Sequence, residues 1–113
     1  MASQAMSPDV VISSRPFIPE RVVSREFVHE TVVLNLDTGI YHGLNPTGAR
    51  MLETLRGAET VRIAAATLAE LYDRPVAEIE NDLAAFCLSL HDRGLLDLTP
   101  AVDAAGRSAD PAL

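Results

Sequence analysis

The stretch TVVLNLDTGIYHGLNP, residues 31–46, alternates, turns, alternates again and then stops at a proline. In an extended chain Val32, Leu34 and Leu36 fall on one face and Val33 and Asn35 on the other. With β-branched residues frequent, this predicts a strand over 31–36. Asp37-Thr38-Gly39 supplies a turn whose glycine can take positive φ. Ile40 to Leu44 then alternates again, so the two runs form a tight antiparallel hairpin. Upstream, Arg21-Val22-Val23-Ser24 predicts a further strand that turns near Glu26, with Val10-Val11-Ile12 as a competitor for that role. Downstream the period changes. Asn45 offers a side-chain cap, Pro46 fits a first helical residue, and Ala49, Met51, Leu52 and Leu55 mark an apolar face before Gly57. Thr60 caps a second helix carrying Val61, Ala64, Ala65, Leu68, Leu71 and Tyr72, which Pro75 terminates. Pro75 opens a third, whose stripe of Ile79, Leu83, Phe86 and Leu90 runs to Gly94.

Three strands followed by three helices define an α+β class with a winged helix-turn-helix-like arrangement, a three-stranded antiparallel sheet preceding its helices. The ends lack either period. Residues 1–16 read as an N-terminal tail with partial order left open, 17–98 as the folded domain, and 99–113 as a disordered tail of Ala, Pro, Gly, Ser and Asp. No apolar run reaches the roughly 18 residues of a membrane span, and residues 1–14 lack the basic and apolar regions of a signal peptide. A soluble, cytoplasmic protein is expected.

With 113 residues the chain has room for one small domain. Nine Arg and no Lys stand against sixteen Asp and Glu, a net charge of −7 that disfavours a phosphate-binding surface. The absence of Lys also removes lysine nucleophiles and P-loops. The acidic excess is local as well. From Pro75 to Arg93, Glu78, Glu80, Asp82 and Asp92 oppose Arg93 alone, giving −3 on the helix that a winged fold would present to DNA. No nucleic-acid partner is expected.

Few residues have the chemistry of a catalyst. Cys87 and His91, four apart, share a helix face, but they lack the orienting group of a nucleophilic site and the four ligands of a structural zinc. His29 and His42 lie on different strands and make no metal site by themselves. Glu78, Glu80 and Asp82 sit on the first turns of a helix, where the dipole favours negative charge. No catalytic residue, metal or cofactor is assigned. The feature with binding potential is the last strand. If it lies at the sheet edge, its unpaired N–H and C=O groups offer a template to an extended peptide, with the third helix as the facing wall of a groove.

The run from Val33 through Leu36-Asp37-Thr38-Gly39-Ile40-Tyr41-His42-Gly43-Leu44-Asn45-Pro46-Thr47-Gly48 to Ala49 is joined by Asn81-Asp82-Leu83, Phe86, Leu90 and Arg93-Gly94-Leu95-Leu96. Together they resemble the PqqD-like family of recognition elements for ribosomally made precursor peptides (RiPPs), over about 75 residues from Val22 to Leu98. Within that family the chain looks most like the discrete leader-binding proteins of lasso-peptide biosynthesis. The resemblance implies a non-catalytic peptide chaperone that binds a precursor leader by strand addition and delivers it to a leader peptidase and a macrocyclase. Presentation to a radical-SAM maturase is the alternative. It implicates Ile40, Tyr41, His42, Gly43 and Leu44 in backbone pairing, places Leu83, Phe86, Cys87 and Leu90 near side-chain pockets, and gives Asp82 a basic leader residue to attract. At Tyr41-His42 relatives often carry two aromatics, so this chain departs there.

Overall fold

The computed structural model describes residues 7–99. The element order is α1 (Pro8–Ser13), β1 (Arg15–Phe17), β2 (Val22–Glu26), β3 (Thr31–Asn35), β4 (Tyr41–Leu44), α2 (Pro46–Leu55), α3 (Val61–Tyr72), α4 (Val76–Asp92) and β5 (Asp97–Thr99). Strands β2, β3 and β4 form one antiparallel sheet in that order, so β2 and β4 are its edges. The expected three strands and three helices are present in the expected order. The segment 8–17 and the strand 97–99 are additions to them.

The helix boundaries follow local chemistry. Asn45 caps α2 by accepting the Gly48 N–H at 2.8 Å, with Pro46 in the first turn. Thr60 caps α3 through the Ile63 N–H, and Asp73 ends it in the left-handed region at φ 54°. Pro75 precedes α4, and Gly94 follows it at φ 73°, a backbone state that favours glycine.

The N-terminal segment departs from the expected tail. Val10-Val11-Ile12 belongs to a six-residue helix and not to a strand. So short a helix is not stable in isolation, and tertiary contacts supply what its length lacks. Ser7 accepts the Val10 N–H, Val11 and Ile12 are buried against the bundle, and the Ser14 carbonyl accepts the Val61 N–H at 2.9 Å. β1 then pairs with β5, Arg15 opposite Thr99 and Phe17 opposite Asp97, in a separate two-stranded sheet. Thr99 is therefore strand; the rest of the expected C-terminal tail, 100–113, lies outside the described residues.

The core is aliphatic. Leu52 and Leu55 of α2, Val61, Ala64, Ala65 and Leu68 of α3, and Ile79, Leu83, Ala84, Cys87 and Leu90 of α4 interdigitate with Leu95 and Leu96. The sheet contributes Val22, Val33 and Leu44. Its inner face is thus the one carrying Val33 and Asn35, while the more aliphatic Val32 and Leu34 lie on the outer face, half-buried, and the turn residue Leu36 is exposed.

One buried polar residue joins the hairpin to the helices. Asn35, 2% exposed, accepts the N–H groups of Asp37 and Thr38 and donates from Nδ2 to the Gly94 carbonyl at 2.8 Å. A single amide therefore shapes the β3–β4 turn and fastens it to the end of α4. All of its strong hydrogen-bonding groups but one have partners, which removes most of the desolvation cost of burying it.

Candidate peptide-binding groove

Fastening the β3–β4 turn to α4 sets β4 beside that helix and leaves an open groove of about 430 Å³ between them. One wall is β4, with His42, Gly43 and Leu44. The floor is the start of α2, with Asn45, Thr47, Gly48 and Met51, and the far wall is α4, with Asp82, Ala85 and Phe86. A smaller cavity of about 130 Å³ continues from it, sharing Thr47, Met51 and Asp82. It is lined further by Leu68, Tyr72, Ile79 and Arg74. The combined trough has an aliphatic and aromatic lining and a carboxylate, Asp82, that forms no salt bridge among the described residues. Arg74 is held by Glu78.

The hydrogen-bonding phase of β4 decides which backbone groups face this space. The Asn35 N–H donates to the Ile40 carbonyl at 2.9 Å, which makes 35 and 40 a hydrogen-bonded pair. Pairs of that kind alternate with non-bonded ones along an antiparallel ladder. The register places His42 opposite Val33 and Leu44 opposite Thr31, so these also point their polar groups toward β3. Tyr41 and Gly43, opposite Leu34 and Val32, are the non-bonded positions. Their N–H and C=O groups project from the free edge.

This divides the ten residues singled out above. Tyr41 and Gly43 carry the edge groups. His42 and Leu44 are among the residues lining the groove, Leu44 while almost fully buried in the core, and the backbone of Ile40 is committed to the turn, its N–H donating to Thr38 Oγ1. Asp82 and Phe86 line the opposite wall. Leu83, Cys87 and Leu90 do not line it: each is 0% exposed and packed into the core. The correction has a simple helical origin. Residues 83, 87 and 90 share the stripe that faces the other helices, whereas 82, 85 and 86 lie on the neighbouring face. Ala85, Thr47 and Met51 were missed. The i+3 spacing of Ala85 from Asp82 and the i+4 spacing of Met51 from Thr47 are the signals that mark those faces.

Burial pushes the Cys87 thiol up to about 12, so it stays protonated and is no nucleophile. His91 does not pair with it; its Nδ1 is 3.0 Å from the Leu96 carbonyl oxygen. Burial, and secondarily the charge of Arg93, hold the His42 imidazole below its ordinary value, so it is neutral at pH 7. Among the described residues no group of three His, Cys, Asp or Glu is placed to hold a metal, and no helix is long and apolar enough to cross a membrane.

Residues 30–96 match the family model described as coenzyme PQQ synthesis protein D, PqqD. The chain belongs to the PqqD family. No curated protein sequence matches it significantly. Among solved structures, it is similar to TbiB1 in complex with the TbiA(beta) leader peptide, with 30% identity and a TM-score of 0.64 over 71% of this chain and 93% of that one. It also shares its fold with a lasso peptide synthetase B1 complexed with the leader peptide, at 23% identity and a TM-score of 0.65, over 74% of this chain and 98% of that one. The PqqD match begins at Glu30 and so takes in β3, β4 and α2–α4, the elements that build the groove. β1, β2 and α1 lie outside it.

Proposed function

We propose that this PqqD-family chain binds the leader region of a ribosomally synthesised precursor peptide as a fourth strand along β4, in lasso-peptide biosynthesis. The observation that carries the reading is the free edge of β4, where the N–H and C=O groups of Tyr41 and Gly43 point away from β3, beside a groove that runs from Gly43 to α4. Main-chain pairing at those two residues supplies affinity without sequence preference. The trough beside Phe86 and Met51, and the cavity under Tyr72, select apolar side chains at alternate leader positions. Asp82 favours a basic residue on that side. The similarity to TbiB1 bound to its leader peptide supports the same reading.

The role is non-catalytic and cytoplasmic: the recognition domain, 17–98, presents the bound leader to a leader peptidase and a macrocyclase, with α1 bracing the helices from behind. The PqqD description of the family supports a second reading, presentation to a radical-SAM maturase. Copurification distinguishes the two, since retention of a peptidase supports the first and of a radical-SAM enzyme the second.

Titration with the cognate leader peptide tests the proposal. Ordering an extended leader costs on the order of 2 to 5 kcal/mol, so saturable binding in the micromolar range is expected. Tyr41→Pro deletes an N–H that faces the free edge and not β3, so it abolishes binding while the β3–β4 ladder persists. Absence of saturable binding, or binding indifferent to Tyr41→Pro, sinks the reading.

A further inference from the structure

We propose that Glu30, Gly43 and Tyr41 form a cation-selecting subsite on the outer face of the sheet, which reads one Arg or Lys in the added strand at the position opposite Gly43. The inference rests on strand addition along β4 and adds a second point of sequence selection, on the side of the sheet away from the groove.

Glu30 ends the β2–β3 turn, and its carboxylate leans over β4. A Cβ built on Gly43 would lie 2.9 Å from Glu30 Oε1. Gly43 has an ordinary backbone conformation, so no turn requires a glycine there. What its missing side chain leaves is room for this carboxylate above the edge strand. Glu30 is exposed and forms no salt bridge among the described residues. Arg25, the cation on the same face, sits opposite Val32, one strand further from the edge, and makes no salt bridge among the described residues either. The carboxylate reaches toward the free edge and away from it.

Tyr41 completes the subsite. It lies two residues from Gly43 on the same face and is 67% exposed. A strand added to β4 places one side chain directly beside Gly43 on this face, with Tyr41 as its diagonal neighbour, within reach of a long side chain. Such a side chain crosses a bare backbone, meets the carboxylate at its tip and lies along the phenol ring. A guanidinium or ammonium satisfies both contacts, one by charge and the other by cation–π attraction. The half-buried Val32 and Leu34, opposite Gly43 and Tyr41 on the same face, offer apolar surface to the stem of such a side chain. A carboxylate at the same leader position meets Glu30 with like charge.

The test is a scan of the cognate leader peptide in which each position in turn is Lys, Gln or Glu, titrated by fluorescence anisotropy at low and high salt. One position is expected to prefer Lys over Gln by about three- to tenfold at low salt, the range of an exposed ion pair with a ring contact, and less at high salt. Glu30→Gln removes the preference at that position alone, and Glu30→Lys inverts it in favour of Glu. Gly43→Ala, whose methyl displaces the carboxylate but leaves the edge N–H, weakens it. Thermal melts of each variant check that folding is unchanged. If the peptides bind and no position responds to Glu30→Lys, the subsite is refuted and strand addition stands. If no peptide binds, strand addition fails and the subsite fails with it.

Discussion

Two faces of α4, one residue apart in sequence, have opposite duties. Leu83, Cys87 and Leu90 are fully buried on the helix that packs against α1 and α3, whereas Asp82, Ala85 and Phe86 line the groove opposite β4. The core face is uniformly apolar, and the groove face mixes a carboxylate, a methyl and a half-buried ring. The contrast shows that hydrophobicity along a helix marks what the fold consumes. The proposed binding surface is built from the residues next to that stripe, which need only be small, aromatic or charged in the right place.

The sharpest way to break this contrast is Leu83→Ala. It should lower unfolding stability by about 2 to 5 kcal/mol, as deletion of a fully buried leucine side chain does, while leader affinity per folded molecule stays within about twofold. Chemical denaturation and a leader titration on the same preparation read the two effects, and a large loss of affinity at unchanged stability would reverse the assignment of that face. Asn35→Ala tests the joint between the two walls. It leaves the N–H groups of Asp37 and Thr38 and the Gly94 carbonyl without their partner, at a cost of about 1 to 3 kcal/mol. Because the same amide holds β4 against α4, affinity should fall too, unlike in Leu83→Ala.

Phe86→Ala probes the groove face, with an expected loss of about tenfold in leader affinity, or 1.4 kcal/mol, and a smaller loss of stability than Leu83→Ala. Equal effects of the two substitutions on stability would erase the distinction between the faces. The smallest effect belongs to His42 on the opposite wall. Its folded value lies below the ordinary 6.5, so as the pH falls the unfolded chain takes up the proton first. The stability associated with neutral His42 is fully present above about 6.5 and is lost as the pH drops toward the lowered folded value. His42→Gln should flatten the denaturation midpoint between about pH 7 and pH 5.

Much of this fold is legible in the chain. The hairpin, its turn at Asp37-Thr38-Gly39, the caps at Asn45 and Thr60 and the break at Pro75 are local signals, and each governs the element beside it. α1, β1 and β5 were not legible. The helix has six residues and the strands three each, too short to persist without partners. Their partners are remote: β1 pairs with β5 across most of the chain, and α1 rests on α3 and α4. The site was half legible. Alternation found the strand and offered the third helix as its facing wall, but that β4 lies at an edge comes from the sheet order. Alternation could not say that Tyr41 and Gly43, rather than Ile40, His42 and Leu44, hold the free backbone groups, because that depends on the phase of pairing with β3.

The sequence by itself determined the types of the central elements β2–β4 and α2–α4 and the acidic character of the domain and of α4, because periodicity, caps and net charge act over a few residues. Tertiary structure decided which apolar residues became core and which became groove. It also set the hydrogen-bonding phase of the edge strand and placed a carboxylate from one turn over a glycine in another strand. Those outcomes depend on distances between segments far apart in the chain, and only the packed molecule sets them.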